Sequence, residues 1–439
     1  MTNQLLRLVD LRSQAIDLSV VEREVPRAAL NVDVALEQVR PLIESIRVLG
    51  EEAVVELAQH FDQIDPRPLR VTQGELDRAL ESLEPRLREA IETSIERVRA
   101  VSIANLPDDM SVQLADGAVV RQRWQPVDSV GLYVPGGKAV YPSSVIMNVV
   151  PAQVAGVPRL AVATPGQKAF GGRPHPTVLA TAALLGVTEV YAIGGPAAVA
   201  AFAHGIPGVL ERVELVTGPG NIFVTAAKRA LRGVIGIDSE AGTTEILVLA
   251  DKAADARLIA FDLISQAEHD EAAASVLVTD SSELIQAVQF EVAALAGQTL
   301  HAERVLQALR GQQSAAVLVS NWQAAIDFAN LYATEHLEIH STNNESTLSK
   351  ISNAGAIFLG ANSPVSLGDY MAGSSHVLPT GYQAKFASGL GVHTFLRAQQ
   401  VIDYSRAGLE PIADLVNDFA KAEGLPAHGE AIKARFETR

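Results

Sequence analysis

The chain has 439 residues, 48% hydrophobic and 20% charged, a length that calls for two to three domains and a composition that excludes a disordered chain. Fifty-one acidic residues against thirty-five basic ones leave a formal charge of -16 with no basic cluster, which argues against nucleic acid as a partner because a phosphate backbone needs a positive footprint. Cysteine is absent, which removes disulfides, thiolate metal ligands and thiohemiacetal intermediates, so any chemistry runs on nitrogen and oxygen groups.

The opening MTNQLLRLVDLRSQ mixes charges into its apolar positions and does not read as a signal peptide. No run of eighteen apolar residues occurs anywhere, so a cytoplasmic protein without a membrane partner is expected. Residues 1–29 are expected to form an N-terminal arm. Apolar residues then recur every three or four positions, as in ALEQVRPLIESIRVLGEEAVVELAQHFD, which predicts a helical layer over residues 30–105 with a break at Gly50.

From Ser129 the pattern changes. Short apolar runs each lead into a Gly-rich or polar turn and then a helical segment: VGLYVPGG, RLAVATPG, TEVYAIGG and VELVTGPGN, and later EILVLAD, ASVLVTD, AAVLVSN and GAIFLG. Repeated strand, turn and helix predicts an α/β protein with parallel sheets, the first four runs in one α/β domain and the last four in another. The expected boundaries put 30–127 and 243–385 in a first domain that carries the helical layer, and 128–242 in a second. PGQKAFGGRPHP, residues 165–176, reads as an exposed excursion. Residues 386–439 read as a tail of two helices around a turn near Gly408–Pro411, too small to bury a core alone and so expected to pack on another surface.

Three Gly-rich turns, VPGGKAVYPSS, IGGPAAV and TGPGNIFVTAAKRAL, directly follow predicted strands, where backbone N–H groups and a helix N-terminus attract anions. None spells GxGxxG, since position 223 is phenylalanine, and they read either as nucleotide cradles or as plain connections. In LISQAEHDEAAA, Gln266 and His269 are three apart and would share one face of a helix, as a metal-binding edge or as a polar side. NLYATEHLEI sets Glu335 beside His336, two proton-transfer groups whose pKa values burial can tune. NSPVSLGDYMAGSSHVLPTG offers Asp369 and His376 in a stretch that reads as a loop with short turns, and EGLPAHGEA offers Glu423 and His428. Gln266, His269, Asp369 and His428 together would make a zinc site of nitrogen and oxygen ligands, with Glu335 and His336 as base and acid. Such a set suits zinc hydrolysis and zinc-dependent oxidation equally. Of the ten histidines, His60, His175, His204, His301 and His340 stand in no constellation and read as structural or exposed.

In this order and spacing the segments resemble the histidinol dehydrogenases over nearly the full length. The motifs that carry the resemblance are GLYVPGGKAVYPSSVIMN, GPGNIFVTAAKRAL, IGIDSEAGTTEILVLAD, LISQAEHD, EHLEI, GAIFLG, LGDYMAGSSHVLPTG and AEGLPAH. It implies two Rossmann-like α/β domains with parallel sheets, a helical N-terminal segment and a C-terminal helical tail in an intertwined homodimer. It also implies a zinc- and NAD-dependent four-electron alcohol dehydrogenase that takes L-histidinol through L-histidinaldehyde to L-histidine with two NAD and one water, the last step of histidine biosynthesis. A related zinc- and NAD-dependent dehydrogenase of another amino alcohol or polyol is the alternative.

On that resemblance Gln266, His269, Asp369 and His428 match ligands of one Zn2+ per subunit. Glu335 would activate the attacking water, and His336 would be the base for both hydride transfers. Thr244, His376 and Glu423 would join Gln266, His269, His336, Asp369 and His428 around the substrate, with Tyr133 and Asn221 as NAD contacts. Glu423 and His428 on the tail would enter the partner's site. The chain departs from the family pattern in three places. GTTE replaces Gly-Pro-Ser-Glu, so Thr244 stands for a serine and its added methyl narrows the pocket; GGPAA puts Ala197 where a glutamine faces NAD; and TEHL replaces PEHL.

Overall fold

The computed structural model describes residues 4–28, 32–137, 139–240 and 242–437; Lys138 of the VPGGKAVYPSS turn and Ala241 of IGIDSEAGTTE lie outside them. The strands, in chain order, are β1 (Arg7–Asp10), β2 (Met110–Ala115), β3 (Ala118–Pro126), β4 (Ser129–Tyr133), β5 (Arg159–Thr164), β6 (Glu189–Ala192), β7 (Leu215–Thr217), β8 (Gly236–Ile237), β9 (Glu245–Ala250), β10 (Ala274–Thr279), β11 (Ala315–Leu318), β12 (His336–His340), β13 (Ala356–Leu359) and β14 (Leu396–Tyr404). All eight apolar runs singled out in the sequence form strands, and they divide between two parallel sheets as expected. The first sheet has the order β1-β11-β10-β9-β12-β13 and the second β6-β5-β4-β7-β8.

Strands such as EILVLA and ASVLVT are buried at every position, because helices cover both faces of a parallel sheet. Each sheet accordingly separates two apolar cores. Gly131 in β4 shows how close the covering is: a Cβ there would sit 2.4 Å from the Phe202 ring on the helix Gly195–His204. Without β1, both sheets share one topology. The strand order reverses between β9 and β12 in the first and between β4 and β7 in the second.

Two expectations are corrected. The helices of residues 32–104 do not cover the sheet formed by the later residues. Val39, Ile46 and Val54 pack with one face of the second sheet, and Leu76, Ile91 and Val98 with the other, so this layer belongs with residues 129–237. The start of the tail is not helical either. LRAQQVIDY forms β14, which pairs antiparallel with β3 from Leu396↔Pro126 to Tyr404↔Ala118, and β2 completes this small third sheet. Its alternating, half-exposed pattern is that of an edge strand, which helical periodicity had masked. Helices Ala413–Ala422 and Pro426–Lys433 follow. Among the described residues no helix is long and apolar enough to cross a membrane.

Candidate active site

The amino ends of β9 and β12 lie side by side at the switch point of the first sheet, and the segments entering these strands supply Thr244, Glu335 and His336. The helix Ala256–Ala267 leaves the far end of β9 and returns to the amino edge before β10, which delivers Gln266 in its last turn. His269 is not on that helix. It follows the C-cap residue Glu268 in a bend, with its N–H on the Gln266 carbonyl at 3.3 Å. Asp369 comes from the helix Val365–Tyr370, a turn of order in a stretch expected to be loop.

At this edge Glu335 is buried and its Oε2 accepts two hydrogen bonds, from the Thr244 hydroxyl at 2.6 Å and the Glu245 backbone N–H at 2.9 Å. Burial raises its pKa, while the neighbouring His336, the Thr244 hydroxyl and His269 pull the other way. Gln266, 1% exposed, donates from Nε2 to the Thr244 hydroxyl oxygen at 2.6 Å. His336 Nδ1 lies 3.0 Å from the Glu245 carbonyl oxygen. A carbonyl only accepts, so Nδ1 carries the proton and Nε2 of the neutral ring has the free lone pair. His376 is arranged in the same way: Nδ1 donates to the Asp369 carbonyl at 3.1 Å, and Nε2 accepts from Ser144 at 3.1 Å. Burial lowers the His376 pKa, while the neighbouring Asp369 pulls the other way.

His269 Nε2 and Asp369 Oδ2 stand 3.8 Å apart. Gln266 Oε1 is buried and has no hydrogen-bond partner among the described residues. An orphaned carbonyl oxygen, an imidazole nitrogen and a carboxylate are a donor set that suits zinc. Six of the expected site residues, Thr244, Gln266, His269, Glu335, His336 and Asp369, thus meet at one edge, with His376 joined through Asp369. Glu423 and His428 do not join them: both are exposed on the tail.

The carboxyl end of the second sheet faces this edge through Ser144, whose helix follows β4. Its turns are tightly made. Gly218 has φ +113°, and a Cβ there would lie 2.0 Å from the Tyr133 carbonyl oxygen. Lys228 Nζ holds the turn by donating to Asp238 Oδ1 at 2.6 Å and to the Gly218 carbonyl, while Asp238 Oδ2 accepts from Gly218 N–H at 2.8 Å. Tyr133 is buried, its hydroxyl accepts from Gly195 N–H at 3.0 Å, and desolvation pushes its pKa up to about 12. Asn221 is exposed and caps the helix Ile222–Leu231 through the N–H groups of Phe223 and Val224. Ala197 is buried in the helix Gly195–His204.

The structure adds residues that pattern reading missed. Arg27 is sandwiched between the Tyr332 and Tyr382 rings, 4.2 and 4.1 Å from their centroids, and forms an ion pair with the buried Glu245. Glu245 Oε1 also accepts from Gly381 N–H at 2.7 Å, so the strand start that holds Glu335 and His336 is tied down from two sides. Asp262, Glu338 and His340 form a second polar cluster, and His340 therefore does stand in a constellation. Within it Asp262 and Glu338 are hydrogen-bonded to each other. Burial and the neighbouring Glu338 push the Asp262 pKa up to about 8, and Glu338 Oε1 accepts from Val365 N–H at 2.8 Å. A glutamate inside an otherwise apolar strand, as in EILVLAD or HLEIH, was the available signal.

Comparison with known proteins adds the following. The family model described as histidinol dehydrogenase matches residues 25–436. A histidinol dehydrogenase of Leifsonia xyli is 53% identical over 435 residues, spanning 99% of this chain and 100% of that protein. One from Corynebacterium diphtheriae is 52% identical over 439 residues, spanning 99% and 98%. A crystal structure of histidinol dehydrogenase from Elizabethkingia anophelis superimposes with TM-score 0.93 at 29% identity, covering 99% of both chains.

Proposed function

The chain belongs to the histidinol dehydrogenase family, and from that membership we propose that it oxidises L-histidinol through L-histidinaldehyde to L-histidine, as the last step of histidine biosynthesis. The observation that carries this reading is the convergence, at one sheet edge, of the base pair Glu335 and His336 with the oxygen and nitrogen donors Gln266, His269 and Asp369. The Gly-rich turns of the second sheet would hold NAD, which would supply the hydride acceptor for both oxidations. Gln266, His269 and Asp369, with His428, would hold zinc, which would supply a Lewis-acid anchor for the substrate.

The protein's own groups move the protons. His336 Nε2, freed by the Nδ1–H bond to Glu245, takes the proton of the hydroxyl oxygen as hydride leaves the carbon that bears it, which gives the aldehyde. Glu335 then takes a proton from water as the water oxygen adds to the aldehyde, and His336 returns its proton to the carbonyl oxygen, which completes the hydrate and leaves His336 free to act again. His336 accepts the hydrate proton as the second hydride departs, leaving the acid. Both hydrogen bonds to Glu335 fall on Oε2, so Oε1 is the oxygen left to receive the water proton. With no cysteine in the chain, the hydrate is the route from aldehyde to acid.

Tyr133 and Asn221 border the turns assigned to NAD, and Thr244 and His376 the substrate. The last site residues come from a second copy. The tail helices expose Leu415, Phe419 and Leu425 together with Glu423 and His428, a face that a partner subunit would cover. The testing assay counts NADH per histidinol consumed, with and without added zinc. Two are expected. One NADH, or preference for another amino alcohol or polyol, points to the related dehydrogenase, and turnover by hydrolysis without NAD overturns the reading.

A further inference from the structure

We infer that Thr244 is a positioning residue for the metal site: its hydroxyl dictates which end of the Gln266 amide is presented to the ion. The inference rests on the zinc reading above and follows from counting protons. A threonine hydroxyl has one hydrogen, and here it lies between two partners, Glu335 Oε2 at 2.6 Å and the Gln266 amide at 2.6 Å. Glu335 Oε2 already accepts the Glu245 backbone N–H at 2.9 Å, and as a carboxylate oxygen it can only accept from Thr244 as well. The Thr244 hydrogen therefore goes to Glu335. What remains toward Gln266 is a lone pair, and only the amide NH2 can answer it.

The consequence falls on the other end of the amide. With Nε2 engaged, Oε1 is the atom turned away from Thr244, and it is buried without a partner among the described residues. An amide nitrogen has no available lone pair and cannot ligate a cation, whereas the amide oxygen can. Remove the hydroxyl, and nothing in the Thr244 contact distinguishes the two ends of a side chain that is 1% exposed. The amide could then sit either way round, without the hydrogen bond that holds its position. The β-branch of threonine adds stiffness, since it restricts χ1 and so holds the hydroxyl in place.

The test measures zinc affinity of the full-length assembled protein by equilibrium dialysis against a competing chelator, using Thr244→Val, Thr244→Ala and Thr244→Ser. Valine keeps the shape and loses the hydroxyl; alanine gives a second hydroxyl-free variant should valine fold poorly, and thermal unfolding of the metal-free proteins reports folding. Thr244→Val and Thr244→Ala are expected to bind zinc about 10–100-fold more weakly, and Thr244→Ser to retain affinity. In a Gln266→Ala background the Thr244→Val change is expected to cost nothing more, because the ligand it orients is gone. Unchanged zinc affinity in both hydroxyl-free variants overturns the inference and leaves the metal reading intact, as does an equal loss with and without Gln266. A wild-type protein that takes up no zinc overturns the metal reading and the inference with it.

Discussion

Individual side chains here are specified by where their protons must go. His336 can be a base only because Nδ1–H is committed to the Glu245 carbonyl, and Glu335 is fixed by two donors on one oxygen. The two residues are expected to separate kinetically. Glu335→Gln should slow oxidation of the aldehyde by about 10²–10⁴-fold and that of the alcohol much less, whereas His336→Asn should slow both. Feeding each variant alcohol and aldehyde separately and following NADH checks this; equal losses in Glu335→Gln would remove its assignment to water. Asp262 supports a stability prediction. Its pKa is pushed from 3.8 up to about 8, so between these values the unfolded chain has released a proton that the folded chain retains. Stability contributed by this group is therefore complete below about pH 4 and declines as pH rises toward 8. Asp262→Asn is expected to flatten the fall of Tm between pH 5 and 8, and a fall parallel to wild type would show that another group is responsible. Glu335 and His336 were legible as a dipeptide, and so were the other donors by type. Glu245, Asp262 and Glu338 were not, because a single carboxylate in an apolar run does not say which distant group will satisfy it.

Among the elements, the strands were the most legible, since buried parallel strands write themselves as short continuous apolar runs between turns. What the runs did not reveal is which end of each strand does chemistry. The Gly-rich turns follow strands, at the carboxyl ends where open sheets bind ligands, yet Thr244, Glu335 and His336 stand at strand beginnings. Both statements hold because the carboxyl edge of the second sheet meets the amino edge of the first. β14 was missed because LRAQQVIDY is an edge strand whose partner, β3, lies some 270 residues earlier at the pair Leu396↔Pro126. The TGPGN turn depends on an ion pair whose side chains are 3% and 4% exposed. Lys228→Met, which strands Asp238 as a buried charge, is expected to destabilise the protein by about 3–5 kcal/mol, and Lys228→Met with Asp238→Leu by much less. The midpoints of urea unfolding decide this; equal losses in single and double variants would mean that packing of Lys228 matters more than its charge.

On the scale of the whole molecule, one chain assembles most of a site and leaves two of its expected residues, Glu423 and His428, exposed elsewhere. If a second copy supplies them, inactive subunits should repair each other. Co-refolded Glu335→Gln and His428→Ala chains are expected to recover about a quarter of the wild-type sites, since half the random dimers are mixed and each holds one intact site. Activity no greater than that of the separate variants would place His428 in its own chain's site. In such an assembly the exposed Leu415 and Phe419 would be covered by the partner.

The placement of β1 bears on how the chain reaches its native state. Arg7–Asp10 pairs with Ala315–Leu318, and Arg27 seals against Glu245, while residues 32–237 build the other sheet with its own cores in between. During synthesis the inserted unit is finished well before the sheet that its flanks will form. Arg7–Asp10 must therefore wait, unpaired, until Ala315–Leu318 has been made, and closure of the first sheet should be the slow, high-contact-order event of folding.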